Sequence, residues 1–173
     1  MLIRPVVDVD IDACVAVNNA NMPAVGETDA VRMHALLEEA AVSLVAEPDG
    51  TENGGGDACS TSPTIAGFCI VMPPGVDYAS VNYRWFDDRY DDFAYLDRIA
   101  VAEPFRGRGI GGDLYAAVEG AVAPVPWLLC EVNLRPRNDG SLRFHHRVGF
   151  REVGQQETDY GVLVSMLAKD LRR

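Results

Sequence analysis

The sequence predicts an α/β fold in a single domain, and three observations carry that expectation. The 173 residues suit one domain, and a chain of that length buries roughly two-thirds of its unfolded surface, enough for a core without disulfides or metal. Apolar residues recur at helical spacing in some segments and as short β-prone runs in others, in the order β-α-α-β-β-β-α-β-α-β-β. A glycine-rich turn joins one of those runs to one of those helices. The 48% hydrophobic and 24% charged residues exclude a wholly disordered, collagen-like or coiled-coil chain.

Residues 2–7 read as a strand, with Pro5 acceptable at an edge or a start. Asp8 or Asp10 caps a helix whose stripe is Ile11, Cys14 and Val15, and the stripe then meets Asn18 and Asn19 where aliphatic residues are due. Thr28 caps a second helix with Met33, Leu36, Leu37 and Ala40 on one face and His34 at the surface. Val42–Glu47 and 64–72 read as paired strands. The Gly/Ser/Asp/Thr-rich stretch between them reads as a mobile surface loop. Residues 76–93 interleave Tyr78, Tyr83, Trp85, Phe86, Tyr90 and Phe93 with five aspartates, and read as a long connection that serves as a lid or binding loop. Residues 95–101 form a strand with Tyr95, Asp97, Ile99 and Val101 on one face. A helix with the stripe Ile110, Leu114, Ala117, Val118 and Ala121 ends at Pro124 and Pro126. Then come a strand over 127–133, a helix opened by Asn138 or Asp139 and ended by Gly149, and an antiparallel pair over 150–153 and 162–168.

Charge and cysteines narrow the function. Fifteen Lys+Arg against 26 Asp+Glu leave a net charge of −11, which repels phosphate backbones and argues against a nucleic-acid partner. No signal-peptide pattern opens the chain and no apolar run approaches the ~20 residues of a membrane span, so a cytoplasmic protein without a membrane partner is expected. Cys14, Cys59, Cys69 and Cys130 are widely spaced with no C-x-x-C pair, which argues against a metal site, and Cys14, Cys69 and Cys130 sit among apolar residues and read as reduced core thiols.

The segment 96–112 carries the chemistry. Gly107, Gly109, Gly111 and Gly112 let the backbone turn sharply and approach a ligand, and the following helix offers its unpaired first amides and dipole to an anion. Arg106 and Arg108 add two full positive charges. In so acidic a chain this is the place for a pyrophosphate. A Walker loop is excluded because Gly111-Gly112-Asp113 stands where Gly-Lys-Ser/Thr is required. A dinucleotide fingerprint fits the glycine spacing but lacks the parallel doubly wound pattern around it.

Arg106-Gly107-Arg108-Gly109-Ile110-Gly111 resembles the R/Q-x-x-G-x-G/A signature of the GCN5-related N-acetyltransferases. Ile99-Ala100-Val101 before it resembles that family's pantetheine-binding strand. The run from Asn138 to His145 with Gly149-Phe150 resembles its N-x-x-S/A-x-x-F-Y…G-F segment, and Ile3-Arg4-Pro5 with Asp10 resembles its start. The resemblance implies a mixed central sheet, splayed between 95–101 and 127–133 to make an acetyl-CoA slot, with helices on both faces. It implies acetyl-CoA-dependent transfer straight to an amine. Ile99, Ala100 and Val101 would bind the pantetheine arm, and Arg106, Gly107, Arg108, Gly109, Ile110, Gly111 and Gly112 the pyrophosphate. Asn138, Ser141 and His145 would contact the cofactor from the other side.

Two roles stay open at this point. His145 stands where the family's Tyr acid is expected, and it is either the acid that protonates the thiolate or a packed residue. The base is Glu131, which interrupts an apolar strand, or Asp97; the alternative for either is an ion pair with Arg98 or Arg135. Asn18, Tyr83 and Trp85 are the candidates on the acceptor side, with a small-molecule amine or a peptide N-terminus as acceptor. A non-catalytic acyl-CoA-binding or sensor domain is the alternative function, and the final strands are suited to a homodimer.

Overall fold

The computed structural model describes residues 1–49 and 63–172. Most of the loop expected between 47 and 64, and Cys59 within it, lie outside the described residues. Among the described residues, five α-helices and seven strands follow in order: β1 Leu2–Pro5, α1 Ile11–Asn19, α2 Ala30–Glu39, β2 Val42–Glu47, β3 Gly67–Met72, α3 Val81–Asp87, β4 Ala94–Val101, α4 Ile110–Ala121, β5 Trp127–Arg135, α5 Asp139–Arg147, β6 Arg151–Glu157 and β7 Leu163–Asp170. The strands are ordered β1-β2-β3-β4-β5-β7-β6 in a mixed sheet. Residue contacts divide the chain into two compact units, Met1–Val71 with Arg98–Ala121, and Met72–Asp97 with Val122–Arg173. β4 starts in the second unit and ends in the first.

In the first unit, β2 pairs antiparallel with β1 and with β3. Pro5 is tolerated because β1 is the edge strand. α1 packs on α2, and α4 packs on β1 and β2. The core includes Cys14, Met33, Leu36, Val45, Phe68, Ile70, Leu114 and Val118, all at or below 1% exposure. Leu114 and Val118 belong to the expected α4 stripe, but Ala121 is exposed and Tyr115 is buried instead.

The entry into α1 differs from the expected cap. Asp10 is fully buried and accepts two hydrogen bonds from the Arg4 guanidinium, at 2.6 and 2.9 Å, and one from the Val7 amide at 2.9 Å. Its carboxylate is spent on turning the chain after β1, so the strand stops at Pro5 rather than at residue 7. Arg4 also bonds Glu47 at 2.6 Å, which ties the turn to β2. The cap of α2 is Asp29, whose carboxylate accepts from the Arg32 amide, and not Thr28. Asn18 and Asn19 hold the 20–29 connection: Asn18 Nδ2 donates to the Gly26 carbonyl and Asn19 Nδ2 to the Thr28 carbonyl, each at 2.8 Å.

In the second unit, Ala94 and Tyr95 of β4 pair parallel with Leu128 and Leu129 of β5. β7 pairs antiparallel with β5 on one side and β6 on the other, as expected for the final pair. The stretch 76–93 holds a helix, α3, at its centre. Ser80 accepts from the Tyr83 amide and caps α3, and Tyr78, Tyr83, Phe86 and Phe93 are buried. Four of its aromatic rings form core with Tyr95, which rests on Tyr83 and Phe86 at 5.4 and 6.0 Å.

Asp10→Ala should remove a buried ion pair with three hydrogen bonds and lower stability by about 2–3 kcal/mol, since Arg4 keeps Glu47 as a partner. Urea unfolding of the two proteins at pH 7 checks this.

Candidate active site

The sequence candidates fall into two groups, one in each unit. The first group starts on the C-terminal half of β4. The Ala102 amide donates to the Ala66 carbonyl at 2.9 Å, and the Ala100 carbonyl lies close against Gly67, so both face β3. Strand alternation then turns the amide and carbonyl of Ile99 and Val101 away from β3. The Val101 carbonyl is approached by Asn21 Nδ2 at 3.3 Å and Arg106 Nε at 3.4 Å.

Beyond β4 the chain makes a one-turn 3-10 helix over Glu103–Phe105, anchored by the buried Phe105, and then the glycine turn. Gly107 and Gly109 have φ of +76° and +89°, a conformation that favours glycine. The amides of Gly112 and Asp113 close on the Gly109 carbonyl at 2.8 and 3.1 Å and start α4. A β-carbon at Gly107, Gly109 or Gly112 would meet nothing within 4 Å. Among the described residues, no atom of the chain fills the space at those three positions, which fits a cradle for a phosphate group. Arg106 is steadied by Asn21 Oδ1 at 2.9 Å, and the Arg108 guanidinium lies over the Phe105 ring at 5.3 Å. Ile110 is buried and anchors the helix start. Asn18, expected on the acceptor side, is fully buried and accepts from Arg98 at 3.0 Å. It is part of the framework of this unit.

The second group centres on Glu131. Its neighbours Cys130 and Val132 are buried, and Glu131 itself is half-buried. Tyr95 Oη donates to Oε2 at 2.8 Å and Asn82 Nδ2 donates to Oε1 at 3.0 Å. Loss of solvent around the carboxyl group, with the Asp97 charge adding to it, raises its pKa to about 7, against the opposing pull of the Tyr95 and Asn82 hydrogen bonds. Asp97 accepts from the Tyr78 hydroxyl at 2.5 Å. The structure thus brings the two carboxylate candidates into one electrostatic environment.

Tyr83 and Trp85 are framework residues. Tyr83 is 1% exposed and donates its hydroxyl to the Pro73 carbonyl at 2.8 Å. The Trp85 ring lies on Gly154 of β6, where a β-carbon would come within 2.7 Å of it. On α5, Asn138 caps the helix by accepting from the Ser141 amide at 3.1 Å. His145 is buried, with Nδ1 2.7 Å from the Ser141 carbonyl and 3.2 Å from its hydroxyl. A carbonyl only accepts, so Nδ1 carries the proton. Burial lowers the His145 pKa below its ordinary 6.5, partly offset by that carbonyl, which favours the neutral ring at pH 7. His146 is exposed, and His34 faces Glu38 at 3.5 Å on the surface.

Sequence reasoning missed Asn82, Tyr95 and Gln156 as partners of this site. An acid inside an apolar strand does signal that partners exist. Their identity had no signal, because Asn82 and Glu131 lie 49 residues apart and Asn82 and Gln156 lie 74 apart. Among the described residues, no cluster of three His, Cys, Asp or Glu side chains suits a metal ion, and no helix is long and apolar enough to cross a membrane.

Residues 27–150 match the Acetyltransferase (GNAT) family. No curated protein matches the chain. Three similar solved structures are Ard1 from Thermoplasma volcanium (TM-score 0.75, 16% identity, 99% of this chain and 98% of that one), a ribosomal-protein-alanine N-acetyltransferase from Brucella melitensis (0.68, 24%, 98% and 99%), and yncA from Salmonella typhimurium with its cofactor acetyl-CoA (0.69, 17%, 100% and 95%). At these identities the likeness is one of fold.

The His145 geometry has a pH signature. Its pKa is lower folded than unfolded, so its contribution to stability is complete above pH 6.5 and is lost as pH falls through the folded value. The stability difference between the parent and His145→Gln should therefore shrink from pH 7 to pH 5 in urea unfolding. A constant difference would mean that the ring protonates as readily folded as unfolded.

Proposed function

The chain belongs to the Acetyltransferase (GNAT) family, and from that premise we propose that it is an acetyl-CoA-dependent N-acetyltransferase with Glu131 as general base. The acceptor is a small-molecule amine or a peptide N-terminus. The observation that carries the reading is the Glu131 carboxyl group, held by Tyr95 and Asn82 with a pKa raised to about 7. A base of that pKa takes a proton from an ammonium group far better near neutral pH than an ordinary carboxylate does. A free amine is mostly protonated at pH 7, so the proton must leave before nitrogen attacks. Glu131 accepts that proton on a carboxylate oxygen, and the negative field of Glu131 and Asp97 favours a cationic acceptor.

Acetyl-CoA, when bound, supplies the acetyl group as a thioester. The turn from Arg106 to Gly112 is fitted to its pyrophosphate by positive φ, open glycine faces and two arginines. The outward backbone of Ile99 and Val101, on either side of Ala100, is fitted to pair with the pantetheine arm as an added strand would. Asn138 and Ser141 are assigned to the cofactor by resemblance alone. His145, standing where the family's Tyr acid is expected, favours a second reading, a non-catalytic acyl-CoA-binding domain of the same fold.

Two measurements decide between them. With acetyl-CoA and a panel of primary amines, kcat/KM should rise with pH through a limb near 7, and Glu131→Gln should lower kcat by about 10²–10⁴-fold and abolish that limb. No thiol release from the parent with any amine, despite tight CoA binding, would select the non-catalytic reading. Gly112→Asp needs no positive φ and has open space, so it should fold like the parent yet bind CoA at least about tenfold more weakly in calorimetry, through charge repulsion on the cradle. Unchanged affinity would overturn the cradle.

A further inference from the structure

We propose that Asn82 on α3, locked by Gln156 on β6, is a positioning residue that aims and ionises the Glu131 carboxylate. The inference rests on the reading of Glu131 as base and adds to it a device supplied by the segment between β3 and β4.

The lock follows from donor and acceptor chemistry. Gln156 Nε2 lies 3.0 Å from the Val81 carbonyl and 2.9 Å from Asn82 Oδ1. The Val81 carbonyl only accepts, so it fixes which end of the Gln156 amide points at α3. The second Nε2 hydrogen then goes to Asn82, which must present its oxygen to Gln156 and its Nδ2 to Glu131. Reversal of the Asn82 amide would place oxygen against carboxylate oxygen and nitrogen against nitrogen. Asn82 is 3% exposed, so no bulk water substitutes for either bond. α3 itself is held by the Ser80 cap, by the Tyr83 hydroxyl on Pro73, and by Trp85 seated on Gly154 of the same strand as Gln156.

The carboxylate is caught between opposing influences. Desolvation and Asp97 favour the protonated form, and Tyr95 and Asn82 favour the ionised one. Tyr160, between β6 and β7, also feels the Glu131 charge and faces Asn82. Across the sheet β7 presents Met166 to Glu131, which does not titrate. Asn82 is therefore a neutral donor that keeps the base available at neutral pH without adding a charge to the site.

The test reads the carboxyl group directly. The ¹³C shift of Glu131, assigned with Glu131→Gln, is titrated in the parent, Asn82→Leu and Gln156→Leu, together with the pH profile of kcat/KM. Asn82→Leu should raise the Glu131 midpoint by about one pH unit, the loss of one charge-assisted hydrogen bond. Gln156→Leu should raise it by less, although Gln156 does not touch Glu131. The kinetic limb should move with the midpoint in each variant. An unmoved midpoint in both variants would overturn the inference. A moved midpoint with an unmoved limb would support the Asn82 role and overturn Glu131 as base. If Asn82→Leu does not fold, Asn82→Ser and Gln156→Leu carry the same readout.

Discussion

Keeping a carboxyl group usable inside an apolar strand is the constraint around which the second unit is organised. β5 needs Leu128, Leu129, Cys130 and Val132 buried to hold its place beside β4 and β7. Glu131 sits among them, and a carboxylate there without hydrogen-bond partners would be costly. The structure meets that cost with neutral donors from two elements, Tyr95 on β4 and Asn82 on α3, rather than with a cation. A paired Arg would have held the carboxylate strongly ionised and weak as a base. Two neutral donors satisfy the oxygens and leave the pKa near 7.

The first unit solves a different problem, a sharp chain reversal between β4 and α4. Positive φ at Gly107 and Gly109 sets the turn. Phe105 and Ile110, buried on either side, pin its two ends. Arg106, held by Asn21, has its charge at the edge of the turn. The same economy shows at the start of the chain, where one arginine, Arg4, bonds both Asp10 and Glu47 and so joins a turn to a strand. The buried Asp10 of this unit is paired with a cation, whereas the half-buried strand acid of the other is held by neutral partners.

α3 changes how the aromatic segment is understood. A stretch alternating rings with aspartates looks like a solvated binding loop, because no apolar period stands out over seven residues. In the fold, Tyr83 and Phe86 face inward, Trp85 covers Gly154, and Arg89 stacks on Trp85 at 4.1 Å. The aspartates Asp87, Asp88, Asp91 and Asp92 are exposed. The segment thus packs by its rings and solvates by its acids, and its buried polar residue, Asn82, reaches Glu131.

Local chemistry was legible in the residues. Glycine spacing with arginines marks an anion turn, Asn138 marks a helix start, and an acid within an apolar strand marks either a cost or a function; each is a property of a few consecutive residues, so the sequence alone determined them. The register of β5 against β4 sets Tyr95 opposite Leu129, one same-face step from Glu131, and only the assembled sheet decides that. The partners of Asn18, Asp10 and Glu131 likewise come from residues distant in the chain. His145 shows the same division: its place on α5 follows from the motif, but the downward pull on its pKa follows from burial, which no neighbouring residue in the sequence reports. Hydrogen-bond direction and desolvation depend on what surrounds a group in three dimensions, and that is the reason the tertiary structure alone settled them.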